Sequence, residues 1–181
     1  MPSGSKSPLL LALLVLAGGL AFHAPLVRAQ SRDPLTPAEA GQVRDTAGKL
    51  DQRIPLLLKF AGERLARFEQ IRQESPRPPG RDAQLYALLE EYKAILPEMD
   101  DAVSDAASGL TTSESDGKKF NLNKIVGDVI AADQGFATTL QHIQSASTPA
   151  DLANYHFMLD DCLDVTADSL QNAKDSRPAK K

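Results

Sequence analysis

The stretch DAQLYALLEEYKAILPEMDDAVSDAA, residues 82–107, admits one regular structure. Leu85, Leu88, Leu89, Tyr92, Ile95, Leu96, Met99, Ala102, Val103 and Ala106 recur at steps of three and four, which gathers them on one side of a 3.6-residue helix. A half-buried strand would instead alternate at period two. No segment of the chain sustains that alternation, so no strands are expected. Pro97 falls on the side away from the stripe and predicts a kink, not a stop.

The same rhythm extends to either side. Residues 51–74 carry Ile54, Leu57, Leu58, Ala61, Leu65, Phe68 and Ile71. Residues 120–145 carry Leu122, Ile125, Val126, Val129, Ala132, Phe136, Leu140 and Ile143, and residues 149–174 carry Leu152, Tyr155, Leu159, Leu163, Thr166 and Leu170. Ser75-Pro76-Arg77-Pro78-Pro79-Gly80 separates the first two of these four segments, because prolines cannot supply helical N–H groups. Ser108 to Gly117 makes the next break. Thr36-Pro37-Ala38-Glu39 and Thr148-Pro149-Ala150-Asp151 each join an N-cap hydroxyl, a first-turn proline and a carboxylate at the third helical position.

Four amphipathic helices of ~25 residues, each ~37 Å long, predict an all-α fold: an antiparallel up-down four-helix bundle. A short additional N-terminal helix at 37–47 has only Ala38, Ala40, Val43 and Ala47 to bury. It is expected on the bundle surface, against Leu56 and Phe60 one turn apart; Pro55 is tolerable if its helix begins nearby.

Ahead of this domain, Met1 to Lys6 is polar with one positive charge, Pro8 to Phe22 is uncharged and apolar, and Val27-Arg28-Ala29 is a small-x-small site. That order is the order of a secretory signal peptide, with cleavage expected after Ala29. The apolar run is shorter than the ~20 residues of a spanning helix, so no stable membrane anchor is expected after cleavage. The predicted organisation is a signal at 1–29, a linker at 30–35, one helical domain at 36–174 and a disordered tail at 175–181. The protein is expected to work outside the cytoplasm, in the periplasm or the extracellular medium.

Removal of residues 1–29, which hold Lys6 and Arg28 and no acid, leaves 18 basic and 24 acidic groups in 152 residues, a formal net charge of −6. That length suits one core. The sign argues against nucleic acid as a partner, since phosphate binding rests on clustered cations. A single cysteine forbids an intramolecular disulfide and a Cys/His zinc cage.

Bundles of this kind hold haem or paired metals, and both chemistries have sequence requirements. A di-iron site needs Glu-x-x-His on two helices, but His142 follows Thr139 and His156 follows Ala153 at that spacing. Covalent haem needs Cys-x-x-Cys-His, and Cys162 stands alone as a small, semi-buried apolar residue. No phosphate-binding glycine loop or nucleophile elbow occurs, so no cofactor and no catalysis are expected. His142 should face solvent. His156 and Asp160, one turn apart, are the candidate metal pair, because side chains at i and i+4 meet on one face. Phe157 is placed opposite the core, where the leading helix or a partner covers it or it stands as a lone exposed aromatic.

The acids are unevenly spread. Residues 82–107 hold Asp82, Glu90, Glu91, Glu98, Asp100, Asp101 and Asp105 against Lys93 alone. Residues 149–175 hold Asp151, Asp160, Asp161, Asp164, Asp168 and Asp175 against Lys174. In an up-down bundle these two helices run the same way, so their acidic C-terminal halves share an end. Negative charge there opposes the helix dipole, at roughly 0.3–1 kcal/mol per exposed group. The cost points to an acidic end that attracts a cation or a basic protein partner. The competing explanation is a solubilising face.

Leu35-Thr36-Pro37-Ala38-Glu39 resembles the Leu-Thr-x-x-Gln motif of small helical periplasmic stress chaperones, and Leu110-Thr111-Thr112-Ser113-Glu114 has the same form, with Glu in place of Gln in both. The resemblance implies a holdase with an exposed apolar face, as the alternative to non-catalytic binding or scaffolding. A divalent-cation binder is the other alternative.

Overall fold

A computed structural model describes residues 33–109, 114–115, 118–119 and 121–177. The expected signal segment, residues 30–32 and the end of the expected tail lie outside these. The described chain is helical, with five helices compatible with a bundle: α1 (Pro37–Asp45), α2 (Leu50–Gln73), α3 (Arg81–Ala107), α4 (Leu122–Ala146) and α5 (Pro149–Asp175). Within the α3–α4 connection, β1 (Glu114–Ser115) pairs antiparallel with β2 (Lys118–Lys119). The sequence predicts no strand there, and a two-residue ladder is too short to leave a period-two pattern.

Local chemistry sets the helix ends. Thr36 and Glu39 form a reciprocal capping box, each side chain accepting the other's backbone N–H. Thr148 accepts from Asp151 N–H and donates to the Asp151 carboxylate. α3 ends at Ser108, and Gly109 follows at φ +72°, where a residue with a Cβ would be strained. α2 and α3 run on through Pro55 and Pro97.

Residue pairs fix the neighbours. Arg53 meets Glu98 and Arg64 meets Glu91, so α2 and α3 run in opposite directions. Asp82 meets Asn154, Lys93 meets Asp161 and Asp100 meets Ser169, so α3 and α5 lie side by side and run the same way. α4 opposes α5 through Gln144–Asp160 and Ser147–Tyr155, and Arg72 of α2 donates to the Ala146 carbonyl of α4. α3 and α4, consecutive in sequence, touch only slightly.

The core joins all five helices. Leu57, Phe68, Leu89, Tyr92, Ile95, Val129, Leu140 and Leu159 are fully buried within it. Phe68 meets Tyr155 and Tyr92 meets Phe136 edge-on, an arrangement ring quadrupoles favour. α1 packs on α2 through buried Val43 and an Arg64–Glu39 fork with contacts of 2.8 and 2.6 Å. Leu35, at the end of the segment the sequence reads as linker, is buried in the core, and Arg64 also donates to the Pro34 carbonyl. Phe60, read from the sequence as a secondary patch, is a core residue.

Among the described residues no helix is long and apolar enough to cross a membrane.

Candidate functional site

The parallel neighbours α3 and α5 end together, and their last turns enclose a cleft of about 430 Å³. Asp100, Asp101, Ser104, Ser108, Asn172 and Asp175 line it. Lys174 is the one basic residue in either last turn. The end carbonyls of two helices add partial negative charge to that of the three carboxylates. The cleft is therefore polar and cation-seeking.

Behind it lies a polar group within the core. Asp133 of α4 has no exposed surface. Its Oδ2 lies 3.0 Å from Ser169 Oγ, while Oδ1 has no partner. Ser169 Oγ is also 2.7 Å from Asp100 Oδ1, and Asn172 donates to Asp100 Oδ2 at 3.4 Å. Burial pushes the Asp133 carboxyl up to about 7; the Ser169 bond opposes the rise, and the Asp100 charge adds to it. Asp100 is raised too, by burial, against the pull of its Ser169 and Asn172 bonds and with help from Asp101 and Asp168.

Asp133 lies four residues after Val129 and seven before Leu140, inside α4's apolar stripe. That placement is the sequence signal for it, and a stripe drawn from apolar residues alone passes over it. Ser169 is missed for the same reason.

His156 and Asp160 have other partners. The His156 ring sits 3.8 Å from that of Phe157, and its Nδ1 is 3.1 Å from the Leu152 carbonyl. Asp160 accepts from Gln144 at 3.1 Å. Among the described residues no three His, Cys, Asp or Glu side chains gather closely enough to hold a metal ion. Cys162 is fully buried, not semi-buried; its thiol points at the Leu89 carbonyl at 3.4 Å, and burial pushes it up to about 12. Phe157 is 75% exposed and α1 does not reach it, since α1 packs on α2. His142 faces solvent.

Charged clusters elsewhere serve packing. Arg81, 4% exposed, donates to the Ile71 and Arg72 carbonyls at the end of α2 and to Asp151 at the start of α5. Arg77 adds a second cation to Asp151 at 2.9 Å.

The chain matches no known family model, no curated protein and no solved structure.

Proposed function

We propose that this is an exported, non-catalytic binding protein that receives a basic segment of a protein partner at the acidic end of α3 and α5. The observation that carries this proposal is the cleft itself: three carboxylates and two helix C-termini face one space. A guanidinium or ammonium group suits such a space, because charge-assisted hydrogen bonds to carboxylates are about twice as strong as neutral ones. The export step rests on the charged, apolar and small-x-small order of residues 1–29.

In this proposal α2 to α5 make an up-down four-helix bundle whose spatial order is α2, α3, α5, α4. α3 and α4 then stand on a diagonal of the bundle. Support comes from the parallel pairing of α3 with α5 and the slight contact between α3 and α4. A holdase would need a broad apolar face, and among the described residues the exposed large apolar side chains are Tyr86 and Phe157.

The test uses protein recovered from outside the cell, with its N-terminus read by mass spectrometry and expected at Gln30. A fluorescent arginine-rich peptide is titrated at low and physiological salt. Asp101→Asn with Asp175→Asn should weaken binding about three- to tenfold, while Asp45→Asn with Asp51→Asn should leave it within twofold, given roughly 0.2–1 kcal/mol per exposed charge. Equal loss in both pairs, or no binding at low salt, rejects the cleft. Calcium run in parallel separates a metal binder from a peptide binder.

A further inference from the structure

The hydrogen bonds around Ser169 do not close unless an extra proton is present. A serine hydroxyl has one hydrogen and can donate to one acceptor at a time. Ser169 Oγ nevertheless stands 2.7 Å from an oxygen of Asp100 and 3.0 Å from an oxygen of Asp133. If both carboxylates were ionised, one anionic oxygen would face a hydroxyl lone pair inside the core. Among the described residues no other side chain supplies the missing hydrogen. Tyr92 Oη is engaged with Thr166, whose own hydroxyl donates to the Cys162 carbonyl, so Tyr92 is the donor in that pair.

We propose that Asp133, Ser169 and Asp100 form a proton-operated clamp: a proton resident on Asp133 completes the chain Asp133→Ser169→Asp100, which ties α4 to α5 and α3, and its release loosens α4. The proton sits on Asp133 Oδ2 and is donated to Ser169 Oγ, whose own hydrogen goes to the Asp100 carboxylate. On release it passes to solvent and leaves Asp133 as a carboxylate.

Asp133 is the member that holds the proton because it is the one fully enclosed. Its Oδ1 has no partner, tolerable for the carbonyl oxygen of a neutral acid and costly for an anion. Asp100 borders the cleft and has a second donor in Asn172, so it keeps its charge. The elements around Asp133 supply no compensating cation. α3 presents Asp100 and Tyr92, and α5 presents Ser169 and Thr166. On α2, at the level where a Cβ at Gly62 would touch Phe136, Lys59 and Glu63 pair with each other at the surface. On α4 itself, Lys124 is paired with Asp128. The shift of Asp133 toward neutrality agrees with this geometry.

The sign follows from proton counting. The folded state binds one more proton than the unfolded chain between the ordinary aspartate range and about pH 7, so stability falls as pH rises through that window and levels off above it. Each pH unit inside the window changes the unfolding constant by up to tenfold.

Urea unfolding of the mature protein at pH 5, 6, 7 and 8 tests the clamp. The wild type should show an unfolding constant up to about 100-fold larger at pH 8 than at pH 5. Asp133→Asn, whose amide donates to Ser169 as the protonated acid does, should lose that dependence and match the wild type at pH 5 within about threefold. An Asn variant as pH-dependent as the wild type overturns the proposal. Infrared spectroscopy of the wild type decides the matter if the variant does not fold. A protonated-carboxyl stretch should be present at pH 5 and gone by pH 8.5, and Ser169→Ala should shift it; its absence at pH 5 overturns the clamp. Asp101 and Asp175 take no part in the chain, so this outcome is independent of peptide binding.

Discussion

Arg81 illustrates how one charge is made tolerable in a core. Its guanidinium meets two α2 carbonyls and the buried Asp151 carboxylate. Removing one partner of such a set leaves the other charge buried, which costs roughly 3–5 kcal/mol. Arg81→Ala is expected to lower the urea-unfolding free energy by about that amount, whereas Arg77→Ala, whose side chain is 60% exposed, should cost under about 1 kcal/mol. Equal effects would show that Arg77 neutralises Asp151 as much as Arg81 does. Thr148 and Asp151 are legible in the sequence as a helix cap. The pairing of Asp151 with Arg81 is not, because seventy residues separate them and nothing local marks either as a partner.

Element by element, the sequence places the helices within two or three residues at each end, since caps, prolines and glycines act locally. Faces are less secure. The apolar periodicity centres α5 on Leu152, Tyr155, Leu159, Leu163, Thr166 and Leu170; the buried line keeps Tyr155, Leu159 and Thr166 but takes Asp151, Met158, Cys162, Ser169 and Ala173 in place of the other three leucines. The helix is turned so that polar side chains with partners on α3 and α4 go inward, while Leu163 and Leu170 are only half-buried. A buried hydroxyl with a partner incurs no unmet hydrogen bond, so it competes with leucine for an inward position. Leu159→Ala should therefore cost about 2–5 kcal/mol and Leu163→Ala about 1 kcal/mol, read from denaturation midpoints. Equal costs would favour the apolar centring of α5.

For the molecule as a whole, stability should pass through a maximum in mildly acidic solution. Arg64 holds Glu39 down at about 2, below its ordinary 4.5, with Thr36 assisting against the opposing effect of burial. A carboxylate lowered on folding adds stability above its unfolded value and loses it as pH falls toward the folded one. Thermal midpoints should thus rise from pH 2 to about 4.5 and, through Asp133, fall again toward pH 7. Glu39→Gln should flatten the acid limb by on the order of 2 kcal/mol and leave the neutral limb unchanged. A wild-type profile without the acid limb would remove Glu39 as its source. The number of helices, their lengths, the capping residues and most of the core follow from the sequence alone, because each depends on residues within a few positions of one another and on the 3.6-residue repeat. Helix adjacency, the turn of α5 about its own axis, the enclosure of Asp133 between two other helices and the side-by-side contact that makes a cleft of the acidic end expected from the sequence were decided only in the tertiary structure. Those features depend on which residues far apart in sequence satisfy one another's hydrogen bonds and charges, and a local pattern carries no record of that.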